Sequence, residues 1–284
     1  MSIERLGIIG GGLMGSGIAD VSSKAGCHVI VHEINAETAE AALARIEKSL
    51  ARAVERGKLD EAGREDVLSR ITVSTDLSEQ ADRQLVIEAA TENETIKKEI
   101  FGNLDEIVTD SGAILASNTS SIPITRLAAS TKRPSQVVGL HFFNPVPVMA
   151  LVELVTTVMT SPEVIEQAGS FASQVGKTVV RTKDRAGFVV NMLLIPYMLG
   201  AIRMFEAGHA TKEDIDSGMR LGANHPMGPL ELTDFVGLDT TKYVADVLFD
   251  EYKEPMYASP PLLTRMVEAG LHGRKTGRGF YEYG

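Results

Sequence analysis

An apolar run from Ile3 to Ile9 passes directly into Gly10-Gly11-Gly12-Leu13-Met14-Gly15, after which apolar residues return at helical spacing through Ile18, Ala19 and Val21. That pattern predicts a short buried strand, a glycine turn and a helix. A second strand, Val29-Ile30-Val31-His32-Glu33, follows at once. Helical periodicity then runs over Ala36–Arg56, Gly57 breaks it, and a second helix is predicted near Glu61–Ser69. Strand-like segments come next at Ile71–Ser74 and Gln84–Ala89, then a helix over Glu94–Val108 and strands at Ala113–Ala116, Val137–Phe142, Leu151–Val155 and Thr178–Arg181. The helix before the last strand is punctuated by Ser161 as N-cap, Pro162 as its first residue and Gly176 at its end. Strands alternating with helices imply an α/β fold, a Rossmann-like, doubly wound and mostly parallel sheet.

The pattern changes at Lys183-Asp184-Arg185-Ala186-Gly187. Beyond it there is helical periodicity and no convincing strand. Thr211-Lys212-Glu213-Asp214 has the form of a capping box, Pro226, Gly228 and Pro229 mark a turn, and Gly273 to Gly279 reads as a glycine-rich basic tail. The predicted organisation is a dinucleotide-binding domain over residues 1–185 and an all-helical C-terminal domain over 186–284.

Composition narrows the class of protein. The chain has 284 residues, 44% hydrophobic and 23% charged, as expected for a globular protein. A net charge of −10 argues against a nucleic-acid partner, and it obliges any anionic ligand to find local cations. Cys27 is the only cysteine, which suits a reducing compartment. The first strand begins almost at Met1 with no cationic-then-apolar leader, and the longest apolar stretch, Met192 to Ile202, is too short for a membrane span and contains Pro196 and Gly200. The expectation is a cytoplasmic protein with no membrane partner. No metal-ligand set is read.

The first three elements carry a cofactor reading. Gly10 permits the tight turn, Gly12 lets backbone approach a pyrophosphate, and Gly15 allows close packing of helix on strand. Leu13 and Met14 open the helix, whose unsatisfied N–H groups favour phosphate. Glu33 stands at the end of the second strand, roughly 20 residues on, where a carboxylate accepts from the adenosine ribose and repels a 2′-phosphate. The cofactor expected is NAD rather than NADP.

A second constellation is His141-Phe142-Phe143-Asn144-Pro145-Val146, followed by Glu153. Val137–Leu140 would deliver His141 to the C-terminal end of a buried strand, where such sheets keep their ligands. Glu153 is the lone acid in the apolar run Leu151–Val155, and such an acid calls for a partner. A carboxylate on one ring nitrogen fixes the tautomer and leaves the other nitrogen to move a proton. A satisfied core histidine and an unrelated strand glutamate are the alternative.

Taken together with Glu88-Ala89-Ala90-Thr91-Glu92-Asn93, Ser117-Asn118-Thr119-Ser120-Ser121, Gly187-Phe188-Val189-Val190-Asn191, His225-Pro226-Met227-Gly228-Pro229 and Lys275-Thr276-Gly277, these segments resemble the L-3-hydroxyacyl-CoA dehydrogenase family, of the bacterial 3-hydroxybutyryl-CoA dehydrogenase type, over essentially the whole chain. The resemblance implies an NAD-linked oxidation of a short-chain 3-hydroxyacyl-CoA, its reverse, and a homodimer formed by the helical domain. The apolar helix around Met192–Met204 is direct support for that dimer. It further implies His141 as general base, Glu153 as its orienting carboxylate, Ser120 at the substrate hydroxyl and the cofactor, and Asn191 at the substrate. Asn144, Glu92, Lys97 and Lys275 match cofactor positions. Ser49, Arg56 and Lys58 fall where the family contacts CoA.

Other readings stay open at this level. Ser120 could cap a helix beginning near Pro123, Asn191 could cap its own helix, and Arg52, Arg56 and Lys58 could be a solvated face. A β-hydroxyacid dehydrogenase of another substrate class would use a lysine as acid/base, and a non-catalytic NAD-binding relative would have no need of the whole set. The length leaves no room for a fused hydratase domain. Neither acyl-chain length nor the physiological direction is legible.

Overall fold

The computed structural model describes residues 2–284, and the chain divides into two compact units, one ending at Arg185 and the other beginning at Ala186. The first unit is built in chain order from β1 (Arg5–Ile9), α1 (Leu13–Lys24), β2 (His28–His32), α2 (Ala36–Glu55), α3 (Glu61–Ser69), β3 (Ile71–Ser74), β4 (Leu85–Glu88), α4 (Glu94–Ile107), β5 (Ile114–Ser117), α5 (Ile124–Ala128), β6 (Val137–Phe142), β7 (Leu151–Thr156), α6 (Pro162–Gln174) and β8 (Thr178–Lys183). The strands form one sheet in the order β3-β2-β1-β4-β5-β6-β7-β8. All neighbours are parallel except β6 and β7, which run antiparallel.

Strands β4, β5 and β6 are buried at every position. Helices cover both faces of this region, so the strands read as continuous apolar runs rather than alternations. The chain moves outward from β1 to β2 and β3, then returns to place β4 on the other side of β1. That reversal is the switch point at which open α/β sheets bind ligands. Register aligns the strand ends there: Ile9 pairs with His32 and with Glu88, and Glu88 with Ser117.

Local capping follows the sequence at Asn35, Asp60, Asn93 and Ser161, each accepting a backbone N–H from the first turn of its helix. Helix α5 is different. Its N-cap is Pro123, and neither Pro123 nor Ser120 supplies an oxygen. Asp184, at the end of β8, does so instead: Oδ1 accepts from the Ile124 N–H at 2.9 Å, and Oδ2 accepts from the Thr125 N–H at 2.7 Å and the Thr125 hydroxyl at 2.6 Å.

The second unit contains α7 (Val190–Glu206), α8 (Lys212–Gly222), α9 (Pro229–Val236), α10 (Leu238–Tyr252) and α11 (Pro261–Glu268) around Ile195, Leu199, Ile202, Leu230, Leu238 and Leu248. Thr211 caps α8, accepting from the Asp214 N–H and donating its hydroxyl to the Asp214 carboxylate. Among the described residues, no helix is long and apolar enough to cross a membrane.

The C-terminal segment is folded rather than a free basic tail. Buried Asp234 accepts from the Phe280 and Tyr281 N–H groups and from the Tyr283 hydroxyl. Buried Asp216 accepts from the Leu230 and Glu231 N–H groups and from the Tyr281 hydroxyl, so it caps α9 and holds the tail at once.

The long-range cap on α5 has a measurable consequence. Asp184→Ala is expected to destabilise the protein by about 1–2 kcal/mol, the usual cost of losing an N-cap acceptor. Urea unfolding checks this. Ser120→Ala, which removes no cap, should move the midpoint much less.

Candidate active site

The glycine turn after β1 is shaped by close approach. Gly10 has φ +93°, and a Cβ there would lie 2.9 Å from Ala90 Cα. A Cβ on Gly15 would fall 1.8 Å from the Gly10 carbonyl oxygen, so helix and turn can approach only with glycine at this position. Gly12 has open space where a side chain would be. No side chain caps α1, and no acid stands in its first turn. Leu13 is 66% exposed, so the helix start formed by Gly12, Leu13 and Met14 presents backbone N–H groups to an open side. These features fit a pyrophosphate. Glu33 turns back to the same loop, its Oε1 accepting from the Gly11 N–H at 2.6 Å.

Behind the next strand ends lies a buried polar network. Glu88 is fully buried at the end of β4. Its Oε1 accepts from Lys97 Nζ at 2.6 Å and from the Ala90 N–H at 2.7 Å, and its Oε2 accepts from the Ser117 hydroxyl at 2.6 Å. Lys97 is 1% exposed and also lies 3.4 Å from Glu92 Oε2, so this lysine is spent between two carboxylates. Glu92 Oε1 accepts from the Thr119 hydroxyl at 2.5 Å, the Ser120 N–H at 3.1 Å and the Ser121 hydroxyl at 2.8 Å. Burial pushes the Glu92 carboxyl up, but Lys97 and these three donors outweigh it and hold it below the usual carboxylate range. Ser120 is half-buried, with its backbone fixed by Glu92.

Glu88 and Ser117 were not singled out by sequence reasoning. The signal was present, since Glu88 is a lone acid closing an apolar strand, the same feature that drew attention to Glu153.

His141 and Glu153 are directly paired residues of the antiparallel β6–β7 ladder. Their side chains therefore leave the sheet on the same face. His141 Nδ1 lies 2.7 Å from Glu153 Oε2, with 8% and 0% of the two side chains exposed. The Phe143 ring packs on the imidazole with centroids 4.5 Å apart. Asn118 Oδ1 accepts from the Phe142 N–H at 2.9 Å and so joins the Ser117–Ser121 loop to the end of β6.

After Phe143 the chain turns through exposed Asn144 and a cis Asn144–Pro145 bond. Lys177 holds this loop from below, donating to the Val146 and Met149 carbonyls at 2.5 and 2.9 Å. Burial pulls the Lys177 amine below its ordinary value.

The residues expected at CoA separate into two kinds. Ser49 is turned inward, donating its hydroxyl to Asp20 Oδ2 at 2.5 Å. Arg56 and Lys58, with Arg52, are exposed at the end of α2, and among the described residues none of the three side chains has an ion-pair or hydrogen-bond partner.

Asn191 and Lys275 belong to the helical unit. Asn191 is half-buried in the first turn of α7, whose N-cap is Val189 with no side-chain cap bond, so it is not a capping residue. Lys275 Nζ donates to the Asp239 carboxylate at 2.9 and 3.0 Å and to Thr240 Oγ1 at 2.8 Å. Burial raises the Asp239 carboxyl, but the bond and charge of Lys275, the Thr240 backbone bond and the nearby His272 together outweigh it and hold the carboxyl below its ordinary value.

Comparison with known proteins agrees with this geometry. Residues 5–185 match the 3-hydroxyacyl-CoA dehydrogenase NAD binding domain, and residues 187–283 match the 3-hydroxyacyl-CoA dehydrogenase C-terminal domain. The chain is 58% identical to a 3-hydroxybutyryl-CoA dehydrogenase of Mycobacterium tuberculosis, over 99% of each chain. Among solved structures it superposes on M. tuberculosis FadB2 with a TM-score of 0.98 at 56% identity, covering 100% of both chains. It superposes on the (S)-3-hydroxybutyryl-CoA dehydrogenase PaaH1 of Ralstonia eutropha with a TM-score of 0.96 at 44% identity, covering 99% of both. NAD is the cofactor of the N-terminal unit. The chain belongs to the 3-hydroxyacyl-CoA dehydrogenase family.

Proposed function

We propose that this protein oxidises short-chain (S)-3-hydroxyacyl-CoA, 3-hydroxybutyryl-CoA foremost, to the 3-ketoacyl-CoA with NAD, and reduces acetoacetyl-CoA in reverse. The observation that carries the reading is the His141–Glu153 pair at the end of β6, hydrogen-bonded at 2.7 Å and almost wholly buried.

Oxidation takes a hydride from C3 and a proton from the hydroxyl oxygen. NAD, when bound, supplies the hydride acceptor. Glu153 accepts from Nδ1–H, which makes Nε2 the nitrogen that takes the hydroxyl proton, and it stabilises the imidazolium so formed. In the reverse direction the same imidazolium returns the proton to the ketone oxygen. The Ser120 hydroxyl, on a loop anchored through Glu92, orients the substrate oxygen, and Asn191 holds the substrate.

The backbone at Gly10, Gly12, Leu13 and Met14 takes the pyrophosphate, with Gly15 behind it, and Glu33 takes the adenosine ribose. Glu92, Asn144 and Lys275 contact the cofactor, while buried Lys97 acts by fixing Glu92. Arg56 and Lys58, exposed just past the end of α2, meet CoA, while Ser49, expected there from the sequence, has its hydroxyl committed to Asp20 instead. The helical unit forms a homodimer, a reading supported by exposed Leu193 on α7, Leu221 on α8 and Phe235 on α9. The setting is fatty-acid metabolism in the cytoplasm.

His141→Ala should lower kcat by roughly 10²–10⁴ with NADH affinity unchanged, the usual contribution of general acid–base catalysis. Stopped-flow rates within a few-fold of the parent would remove His141 from the mechanism.

The CoA assignment is tested by Arg56→Ala with Lys58→Ala. KM for acetoacetyl-CoA should rise by about tenfold, the scale of two exposed charge contacts to phosphate. KM for a pantetheine thioester lacking the nucleotide should rise much less, and KM for NADH should stay put. An equal effect on both thioesters would show that these cations do not meet the nucleotide.

A further inference from the structure

One cation on α2 is not used by the chemistry above. Arg45 is exposed, and its Nη1 donates to the Gly11 carbonyl at 3.3 Å. The N–H of the same glycine is bound by Glu33 Oε1 at 2.6 Å. A single turn residue therefore carries a carboxylate on its N–H and a guanidinium on its carbonyl.

The approach is enforced by packing. A Cβ on Gly11 would lie 2.4 Å from the Cβ of Ala42, which is fully buried one turn before Arg45. Helix α2 thus lies directly on the glycine turn, and the next turn of the same face delivers Arg45 to its rim. Among the described residues Arg45 forms no ion pair, and its one hydrogen bond leaves most of the five guanidinium N–H donors uncommitted. Ile34, the neighbour of Glu33, is 82% exposed, so this rim is open on the side of Glu33.

We propose that Arg45 is a cofactor-selectivity residue, offering a partner to a phosphate on the 2′-oxygen of the adenosine ribose beside the carboxylate that repels it. The inference rests on the reading that Glu33 faces that ribose. Glu33 and Arg45 are separated by one residue's backbone, well inside a Debye length of about 8 Å, so both charges act on the same phosphate. A guanidinium matches phosphate with two parallel N–H donors, which a single carboxylate's repulsion only partly offsets. Discrimination against NADPH is therefore smaller than Glu33 alone would set. The pyrophosphate is the less favoured target, because the uncapped N–H groups in the first turn of α1 already suit it.

The test is equilibrium titration of the intact protein by nicotinamide fluorescence with NADH and NADPH. Arg45→Met keeps the apolar stem and removes the charge. It should weaken NADPH by about fivefold, the scale of one exposed charge-assisted contact, and change NADH by less than about twofold. Arg45→Lys, which keeps the charge but loses the paired donors, should give a ratio between those of the parent and Arg45→Met, and the salt dependence of NADPH binding should be shallower in Arg45→Met. Glu33→Gln should shift the ratio the opposite way, toward NADPH. Equal weakening of both cofactors by Arg45→Met would assign the residue to the pyrophosphate or the turn and overturn the proposal. An unchanged ratio with a raised KM for acetoacetyl-CoA would overturn it in favour of CoA. A ratio that responds to Arg45→Met but not to Glu33→Gln would support the role of Arg45 and overturn the ribose assignment of Glu33.

Discussion

The antiparallel pairing of β6 with β7 is the constraint on which the rest of the first unit turns. Glu153 is a carboxylate with no exposed surface, flanked on both sides by apolar residues, Leu151-Val152 and Leu154-Val155, of the same strand. Burying it costs several kcal/mol unless a partner is present. His141 is that partner only in one register. A slip of one residue would send the two side chains to opposite faces of the sheet. Functional pairing and strand register are thus specified by the same contact, and the alternative of a histidine and a glutamate that never meet has no place in this fold.

The same logic recurs at β4, two strands from β6 across the sheet. Glu88 ends β4 as Glu153 interrupts β7, and it too is fully buried. Its partners are Lys97, Ser117 and the Ala90 backbone, and through Lys97 it is coupled to Glu92 and so to the loop that carries Ser120. Two buried acids therefore anchor the two loops that meet at the end of β6, joined by the Asn118 side chain on the Phe142 N–H. A loop held by backbone-directed bonds to buried charges positions a hydroxyl more narrowly than a solvated loop would.

What was legible in the sequence was whatever depends on neighbours in the chain. The strands, the glycine turn, the caps at Ser161 and Thr211 and the break near Arg185 all follow from local periodicity and punctuation. What depends on distant residues was not. Asp184 caps α5 from 60 positions away, and no local signal ties them. Lys97 could be matched to a cofactor position, but that it turns inward between two acids follows only from the packing of α4 on the sheet. The tail beyond Gly273 reads only as glycine-rich and basic, because Asp234, which pins it, lies on a distant helix. The direction of β7 had a readable sign: the segment from Phe142 to Leu151 is too short for the crossover that a parallel neighbour requires.

A protein of net charge −10 that takes two polyanionic ligands needs an arrangement that hides its acids from them. Glu88, Glu153, Asp216 and Asp234 are all buried and held by donors of the chain itself. Charges so engaged contribute little field at the surface where ligands arrive. The cations of α2 are the converse case. Arg45, Arg52 and Arg56 are exposed, and none is paired with an acid among the described residues. Screening confines every such charge to about a Debye length. Sign at the site, not the sum over the chain, decides which anions bind, and in this fold positive sign gathers at a helix start with open N–H groups and along the exposed cations of α2.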